Sequence, residues 1–352
     1  MFDINFYMKI YDLKYDLLCG KKYEMNFLTS EFEKFRSEKP YVYNIETTNA
    51  CNMKCKMCPR TTMMKRNVET MSLDIFKKIA LQLDPFSDSD WEKWESFVLQ
   101  KYKIDPHEMS ENHFFLYIIP KVIVMHGYGD PLLDKDLPEK IRILNERGII
   151  TYFSCNPANI NIDKTIQQFE NGLNYIKYSI ESTDDFIHRE IRGKASDFTE
   201  SYKRILKLIE LKEKKNLKTN IVITMLNLDN QNQLEAFGKL KDAFADYDVY
   251  IYLKSQDQKW YLKGQKETNS IHWIEFCQFP WTSMTIKSNG EAVECVEDYN
   301  NEIILGDAKN ESLYAIWNGE KYKQFRMDHF NLKPGIKCSQ MCDMNLIGEF
   351  II

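Results

Sequence analysis

Six short apolar segments with the composition of buried β-strands alternate with amphipathic segments through the middle of the chain. Their nearly continuous apolar character is typical of parallel strands that are covered on both faces. They span residues 41–47, 121–129, 149–155, 174–182, 219–226 and 249–254. Helical patterns such as MSLDIFKKIALQL and QLEAFGKLKDAFAD lie between them. Because consecutive β-α units connect by right-handed crossovers, the alternation predicts an α/β fold with a parallel sheet, either open or curved into a partial barrel.

Two segments interrupt this alternation. Residues 1–37 form a predicted N-terminal helical extension before the first strand. Residues 84–120 are an insertion before the second strand, in which Trp91, Trp94 and Phe97 fall on one helical stripe. The stripe either packs against the rest of the chain or forms a surface for a substrate or partner.

The pattern changes again after about residue 262. The text TSMTIKSNGEAVEC has the character of a β-hairpin, and Asn289–Gly290 is a strong signal for its turn. We therefore predict a core domain of residues 38–262, which contains the insertion. A second, smaller domain of hairpin and helical segments is predicted for residues 263–352.

Composition limits where such a chain works and what it binds. Hydrophobic residues make up 43% of its 352 residues, enough for an extensive core, and the formal net charge of −5 argues against nucleic acid as a partner. No apolar run approaches the roughly 18 residues of a membrane helix, and the N-terminal text lacks the order of a signal peptide. We therefore expect a cytoplasmic protein with no membrane partner. In that compartment, nine cysteines favour metal or redox chemistry over disulfides.

Three of the cysteines form a C-x3-C-x2-C loop directly after the first predicted strand: Cys51, Cys55 and Cys58. In parallel α/β folds the active site lies at the carboxyl ends of the strands, so this position favours a catalytic site. Three thiolates can bind three irons of a [4Fe–4S] cube and leave the fourth iron open for another ligand. The alternative is a zinc knuckle or scattered buried cysteines. Structural zinc normally takes four protein ligands, however, and the loop contains no further Cys or His.

A C-x3-C-x2-C loop after a first strand resembles the signature of the radical S-adenosylmethionine (SAM) enzymes. The resemblance implies a partial (β/α)6 TIM-like barrel over about residues 38–262, with Cys51, Cys55 and Cys58 as cluster ligands. It also implies that SAM binds the open iron and, after reduction, yields a 5′-deoxyadenosyl radical that abstracts hydrogen from a substrate. An electron donor such as flavodoxin or ferredoxin is an implied partner.

The same resemblance implies which residues bind SAM. The text GYGDPLL is similar to the Gly-Gly-Glu-Pro stretch that binds the SAM amino group, with Tyr128 in place of the first glycine. The text YSIESTDDFIHREIRGK matches positions that bind the SAM ribose and carboxylate, and Met57 stands where the family often has an aromatic residue. Without SAM, the first stretch would be an ordinary turn and Arg192 a surface ion pair. The implied SAM-binding residues are Met57, Gly129, Asp130, Pro131, Ser179, Glu181 and Arg192.

A second group of cysteines lies in the predicted C-terminal domain: Cys277, Cys295, Cys338 and Cys342. From spacing alone, four thiolates suit a complete [4Fe–4S] cube and a structural zinc ion equally well. The surrounding text resembles the twitch form of the SPASM extension, with ligand spacing similar to that of 2-deoxy-scyllo-inosamine dehydrogenases. This resemblance implies an auxiliary [4Fe–4S] cluster, so the expected cofactors are SAM and two clusters.

The implied function is that of a radical SAM oxidoreductase. We expect it to oxidise an alcohol or amine carbon of a sugar or cyclitol, with the auxiliary cluster as electron acceptor. One alternative is a radical epimerase, in which Cys155 at the end of the third strand is the candidate catalytic hydrogen donor; otherwise Cys155 is a small buried residue. Further alternatives are the maturation of a ribosomally made peptide and, without catalysis, an electron carrier or a zinc-stabilised binding module. His126 is either near the site or a packed histidine.

Overall fold

The computed structural model describes residues 1–19, 21–227, 231–254 and 278–330. Within these ranges, strands form a single sheet. They are β1 (Val42–Ile45), β2 (Val122–Val124), β3 (Ile150–Cys155), β4 (Tyr175–Ser179), β5 (Asn220–Leu226), β6 (Tyr250–Lys254), β7 (Met284–Ile286), β8 (Glu291–Val293) and β9 (Ile304–Asp307).

Helices connect and flank these strands. The α-helices are α1 (Ile4–Leu18), α2 (Met25–Phe35), α3 (Pro59–Thr62), α4 (Leu73–Ala80), α5 (Asp88–Lys101), α6 (Glu111–His113), α7 (Leu137–Asn145), α8 (Ile162–Glu170), α9 (Asp185–Arg192), α10 (Phe198–Lys214), α11 (Gln231–Ala243), α12 (Phe279–Thr282), α13 (Leu313–Asn318) and α14 (Glu320–Phe330). A π-helix covers Phe114–Ile118, and 3-10 turns cover Ile119–Lys121, Pro131–Leu133 and Pro157–Asn159. In the ranges given above, no helix combines the length and the apolar character that crossing a membrane would need.

The sheet has the order β6-β5-β4-β3-β2-β1-β7-β8-β9. Strands β1 to β6 are parallel, and β7 also pairs in parallel with β1 on the side opposite β2. Strands β8 and β9 then add in antiparallel fashion. The predicted parallel α/β fold is therefore confirmed, as is the predicted hairpin, whose turn contains Gly290 with a φ of +86°. The predicted domain boundary at residues 262 and 263 lies outside the described residues, so the division into domains stays a prediction.

Helices cover the outer face of the parallel strands. Phe153 of β3 and Ile176 of β4 belong to one buried cluster with Leu144 of α7, Ile166 of α8 and Leu208 of α10. These are the apolar sides of the amphipathic segments that the sequence predicts as helices. Burial of these apolar sides holds the helices against the outer face of the sheet.

The N-terminal helix and the insertion fill the amino-terminal part of the inner face. Trp94 is buried in a cluster with inner-face residues such as Tyr152, and its indole N–H donates to the Leu116 carbonyl oxygen over 2.6 Å. Its ring lies 6.0 Å from that of Tyr7, and Phe97 lies 5.2 Å from Tyr11. The aromatic stripe of the insertion therefore packs against α1, which is the first of the two interpretations that the sequence left open.

Candidate active site and metal centre

The cysteine loop follows β1 at the carboxyl edge of the parallel strands. Cys58 is the N-cap residue of α3, and its backbone N–H donates to the Cys55 carbonyl oxygen over 3.2 Å. Cys51, Cys55 and Cys58 are free thiols and are buried or half-buried. Burial raises the pKa of the Cys58 thiol to about 11, with smaller contributions from Cys55 and Cys51. The structure thus holds three buried or half-buried thiols in one loop, and thiols of this kind bind metal as thiolates.

This donor set fits an iron–sulfur cluster, because thiolates are the ligands that such clusters take. Each ligating sulfur of a [4Fe–4S] cube binds a different iron, so the sulfurs surround the cube rather than meet at one ion. In the described part of the chain, no group of three or more Cys, His, Asp or Glu residues is arranged to hold a single metal ion. Three of the predicted auxiliary ligands lie outside the described residues: Cys277, Cys338 and Cys342.

Arg192 and Glu181 form an ion pair beside the cysteine loop. The Glu181 side chain is fully buried, and its Oε2 accepts the backbone N–H of Leu226 at the end of β5 over 2.9 Å. The Arg192 guanidinium lies 3.8 Å from Cys55 Sγ. The pair therefore connects the ends of β4 and β5 to the loop. It is largely buried, whereas the alternative considered for Arg192 from the sequence was an ion pair at the surface.

The glycine loop, residues 127–131, lies directly against the loop after β1. A side chain on Gly129 would collide with the Thr48 carbonyl oxygen, and the Asp130 N–H donates to the Ala50 carbonyl oxygen over 2.8 Å. Pro131 begins the 3-10 turn that follows. A glycine at position 129 is thus required by the close approach of two backbones.

The Asp130 carboxylate accepts hydrogen bonds from three neighbouring residues of the chain. Its Oδ2 accepts the Asn156 N–H over 3.0 Å and the Asn159 side-chain amide over 2.7 Å, while Oδ1 accepts the Leu132 N–H over 3.0 Å. Burial raises the pKa of Asp130 despite these bonds. These bonds tie the glycine loop to the end of β3, so the contact surface that this loop offers a ligand is mainly backbone.

Polar side chains line the inner face where the strands end. Ser154 Oγ lies 3.4 Å from Ser179 Oγ, and the Ser154 N–H donates to His126 Nδ1 over 3.0 Å. The Lys177 amine lies 5.7 Å from the centre of the Tyr152 ring, below this level. Burial and the charge of Lys177 lower the pKa of His126 to about 3, so the imidazole is neutral near pH 7. We call these residues the inner-face polar cluster: His126, Ser154, Lys177, Ser179 and Thr224.

Cys155 and Met57 lie apart from this cluster. Side chains alternate along a strand, and Cys155 points away from the face that carries Ser154. It is buried in the core between the sheet and the helices, and its thiol donates to the Lys177 carbonyl oxygen over 3.7 Å. This agrees with a small buried residue and gives the hydrogen-donor role no support. Met57 is half-buried in the turn before Cys58.

A buried carboxylate that the sequence analysis missed, Glu46, holds three parts of the site together. Its oxygens accept hydrogen bonds from both terminal nitrogens of Arg66, over 2.9 and 3.0 Å, and from the Tyr128 backbone N–H over 3.1 Å. They also accept the Ser288 N–H over 3.2 Å, from the hairpin after β7. Burial opposes the ionisation of Glu46, but the charges of Lys287 and Arg66 outweigh it and hold its pKa below the ordinary value. A charged residue that ends an apolar β-like segment was the available signal.

The segment around Cys295, a predicted auxiliary-cluster ligand, contacts Arg66 and Tyr128, which both bond to Glu46. We call residues 295–301 the Cys295 segment. Tyr128 donates its hydroxyl to Glu297 over 2.8 Å, and Arg66 donates its Nε–H to the Tyr299 carbonyl oxygen over 2.8 Å. The Glu297 N–H donates to Cys295 Sγ over 3.2 Å. The glycine loop and the segment that carries a predicted auxiliary ligand are therefore in direct contact.

Comparisons with known protein families agree with this geometry. The family model for the radical SAM superfamily matches residues 45–240, more than half of the chain. The model for an iron–sulfur cluster-binding domain, SPASM, matches residues 277–343. A search of curated protein sequences returned no match.

Several solved structures have a fold similar to that of this chain. The structure of anSMEcpe with bound AdoMet is 14% identical and has a TM-score of 0.51, with 84% of each chain covered. The complex of BtrN with AdoMet and 2-DOIA is 15% identical, with a TM-score of 0.46 over 86% of this chain and 92% of BtrN. Streptococcus suis SuiB bound to the precursor peptide SuiA is 14% identical, with a TM-score of 0.49 over 85% and 69% of the two chains. At these identities the likeness concerns the fold alone.

Proposed function

The chain belongs to the radical SAM superfamily, and from this membership we propose that it oxidises a carbon bearing a hydroxyl or amino group in a sugar or cyclitol. The cofactors are SAM and two [4Fe–4S] clusters, as the two matched families require. When bound, they supply radical abstraction of a hydrogen atom and a one-electron acceptor. The proposal includes a cytoplasmic location and reduction by a flavodoxin or ferredoxin.

One observation carries the oxidative part of this proposal. The Cys295 segment contacts the glycine loop through the 2.8 Å hydrogen bond from Tyr128 to Glu297. An alcohol carbon that has lost a hydrogen atom must still lose a proton and an electron to become a carbonyl carbon. A second cluster held beside the SAM site suits the removal of that electron, because the distance that the electron travels is then short.

We assign the binding of SAM to the chain's own polar groups. The backbone of Gly129 is available to the SAM ammonium, because carbonyl oxygens accept from that group and the Asp130 carboxylate is already bonded. Arg192 can exchange its bond with Glu181 for a bidentate contact with the SAM carboxylate. Ser179 offers its hydroxyl to the ribose from the end of β4. These three groups orient the cofactor.

The inner-face polar cluster without Ser179, which is assigned to SAM, is the proposed substrate surface. Ser154 and Thr224 supply hydroxyls, and Lys177 supplies an ammonium with several donors. Below them, Tyr152 and Phe114 belong to the buried aromatic layer, which excludes water from the amino-terminal side. A small molecule with several hydroxyl groups fits such a wall, since each of its oxygens can accept or donate a bond there.

Two other reactions enter the test as alternatives. Similar folds were solved with 2-DOIA and with a precursor peptide, so both an aminocyclitol and peptides belong among the trial substrates. Radical epimerisation needs a hydrogen donor on the inner face, and Cys155 lies on the opposite face of β3. Replacement of Cys155 by Ala should therefore leave the reaction unchanged; loss of activity at intact iron content would restore the epimerase proposal.

The decisive experiment is anaerobic reconstitution of the full chain. We expect about eight irons per chain, the content of two cubes, and formation of 5′-deoxyadenosine from SAM under a strong reductant. Sugars, cyclitols and peptides are then added in turn, and products are analysed by mass spectrometry. A sugar or cyclitol product that is lighter than its substrate by two hydrogens supports the proposal. An isomer of unchanged mass or a cross-linked peptide would contradict the oxidation, and an absence of SAM cleavage would contradict the enzyme function itself.

A further inference from the structure

A short series of hydrogen bonds connects the two predicted cofactor sites. It starts at the glycine loop, where Gly129 is assigned to SAM. Its neighbour Tyr128 donates a phenol hydrogen to Glu297 Oε2 over 2.8 Å. The Glu297 N–H in turn donates to Cys295 Sγ over 3.2 Å. Tyr128 and Glu297 therefore connect the SAM loop to the sulfur of a predicted auxiliary ligand.

The last bond of the series matters for electron transfer. Hydrogen bonds to ligating sulfurs are among the features that set the reduction potential of an iron–sulfur cluster. The Glu297 N–H is such a donor, because it lies two residues after Cys295 and is directed at its sulfur. A change in the position of Glu297 would therefore change the potential of a cluster that Cys295 binds.

The first bond of the series is held in a rigid setting. The Tyr128 N–H donates to Glu46, and the Tyr128 ring lies edge-on to Tyr299 at 5.9 Å. The Lys287 amine lies 5.6 Å from the centre of the same ring and donates to the Val296 carbonyl oxygen over 3.0 Å. Tyr128 is thus held at its backbone N–H and at its hydroxyl, with Tyr299 and Lys287 beside its ring, so a displacement of the glycine loop moves the hydroxyl relative to Glu297.

We propose that Tyr128 couples the two sites, so that SAM bound against Gly129 changes the reduction potential of the auxiliary cluster through Glu297 and Cys295. The proposal rests on the proposed function, because it uses its assignments of SAM to the glycine loop and of a cluster to Cys295. Tyr128 acts here as a positioning residue. It occupies the position of the first glycine in the related motif, and a glycine could not make this contact.

The test compares auxiliary-cluster potentials with and without SAM. The reconstituted full chain is titrated electrochemically and followed by electron paramagnetic resonance. The triple variant Cys51→Ala, Cys55→Ala and Cys58→Ala provides the signal of the auxiliary cluster alone. In the unmodified protein, SAM should shift the auxiliary potential. Tyr128→Phe removes the phenol hydrogen bond and should abolish the shift at unchanged iron content. Tyr314→Phe, which removes an exposed phenol from α13, should retain it.

Two substitutions of Glu297 supply an independent test that does not alter the glycine loop. Glu297→Gln keeps an oxygen that accepts from Tyr128 and should retain a shift of the same sign. Glu297→Ala should abolish it, and it replaces Tyr128→Phe if that variant does not fold. Absence of a shift in the unmodified protein, or a full shift in Tyr128→Phe or Glu297→Ala, would overturn the coupling. An absence of SAM cleavage would instead contradict the proposed function, so the two failures are distinguishable.

Discussion

A single glycine sets how closely the loops after β1 and β2 approach each other. A side chain at Gly129 would meet the Thr48 carbonyl oxygen and the backbone of Asn49. We predict that Gly129→Ala displaces the glycine loop and costs about 1–3 kcal/mol of stability, as overpacking does. Since the SAM contacts assigned here are mainly backbone, affinity for SAM should fall at least tenfold, which corresponds to roughly 1.4 kcal/mol.

Gly238 provides the matched control for that substitution. It lies within α11, and a side chain there would meet no atom within 4 Å. Gly238→Ala should therefore raise stability by about 0.5–1 kcal/mol through helix propensity, with unchanged SAM affinity. Denaturant unfolding and equilibrium dialysis measure the two quantities. Equal SAM affinity in the two variants would contradict the role of the Gly129 backbone.

Lys177 supplies the prediction that separates substrate binding from SAM chemistry. Its amine is buried on the inner face above the Phe114 and Tyr152 rings. We expect Lys177→Met to raise the substrate KM by roughly tenfold or more, since a hydrogen bond to a charged group contributes about 1.5–3 kcal/mol. SAM cleavage without substrate should persist. Lys207→Met, at an exposed position on α10, should change neither quantity. An unchanged KM in Lys177→Met would remove this residue from the substrate surface.

Some residue roles could be predicted from the sequence and others could not. The cysteine loop was visible because its spacing is local. The orientation of Cys155 could also be predicted, because side chains alternate along a strand. Cys155 therefore lies on the face opposite Ser154, and it shares that face with Phe153, which packs against the helices. The bond from Tyr128 to Glu297 was not accessible, since nothing in either local pattern indicates a partner 169 residues away.

At the scale of elements, the Glu46 ion pair holds the end of β1 to the loops around it. Both side chains of the Arg66–Glu46 pair are nearly inaccessible. Glu46→Ala leaves Arg66 and Lys287 without their carboxylate, and breaking a buried pair in this way costs about 3–5 kcal/mol. Glu190→Ala is the control, because its pair with Lys56 is exposed and contributes about 0–1 kcal/mol. A similar decrease in the free energy of unfolding for both variants, measured with denaturant, would show that the buried pair contributes no more to stability than the exposed one.

The same carboxylate predicts how stability depends on pH. The pKa of Glu46 lies below its ordinary value in the folded chain. Its contribution to stability is therefore complete above the ordinary pKa of an unfolded glutamate, and it is lost as the pH falls through the lower, folded pKa. Unfolding of the metal-free protein should show a steeper loss of stability on acidification than unfolding of Glu46→Gln. Parallel pH profiles for the two proteins would contradict this assignment.

The element pattern could be predicted where it is local. Each of the six apolar segments contains one of the strands β1 to β6, as predicted. Ser72 and Asp197 are the N-caps of the amphipathic helices α4 and α10. The pairing of β7 with β1 was not predicted, because a parallel partner far along the chain leaves no periodic signal in either strand. The sequence also did not indicate that the insertion packs against α1, a contact made by Tyr7 and Trp94.

For the whole molecule, iron content separates the two predicted centres. Replacement of Cys51, Cys55 and Cys58 by Ala should lower the iron content from about eight to about four per chain. SAM cleavage should be lost, while the brown colour of the auxiliary cluster persists. Cys295→Ala should also lower the iron content but leave the cysteine loop able to bind iron. Iron content and optical spectra measure these outcomes, and unchanged iron in either variant would remove the substituted residues from the ligand set.

The central position of β1 has a consequence for how the chain is made. One of its neighbours, β2, is synthesised early. The other neighbour, β7, consists of residues 284–286 and is synthesised much later. During synthesis β1 is therefore an open sheet edge, and such edges pair readily with other chains. Slow translation or truncation before β7 should therefore favour aggregation.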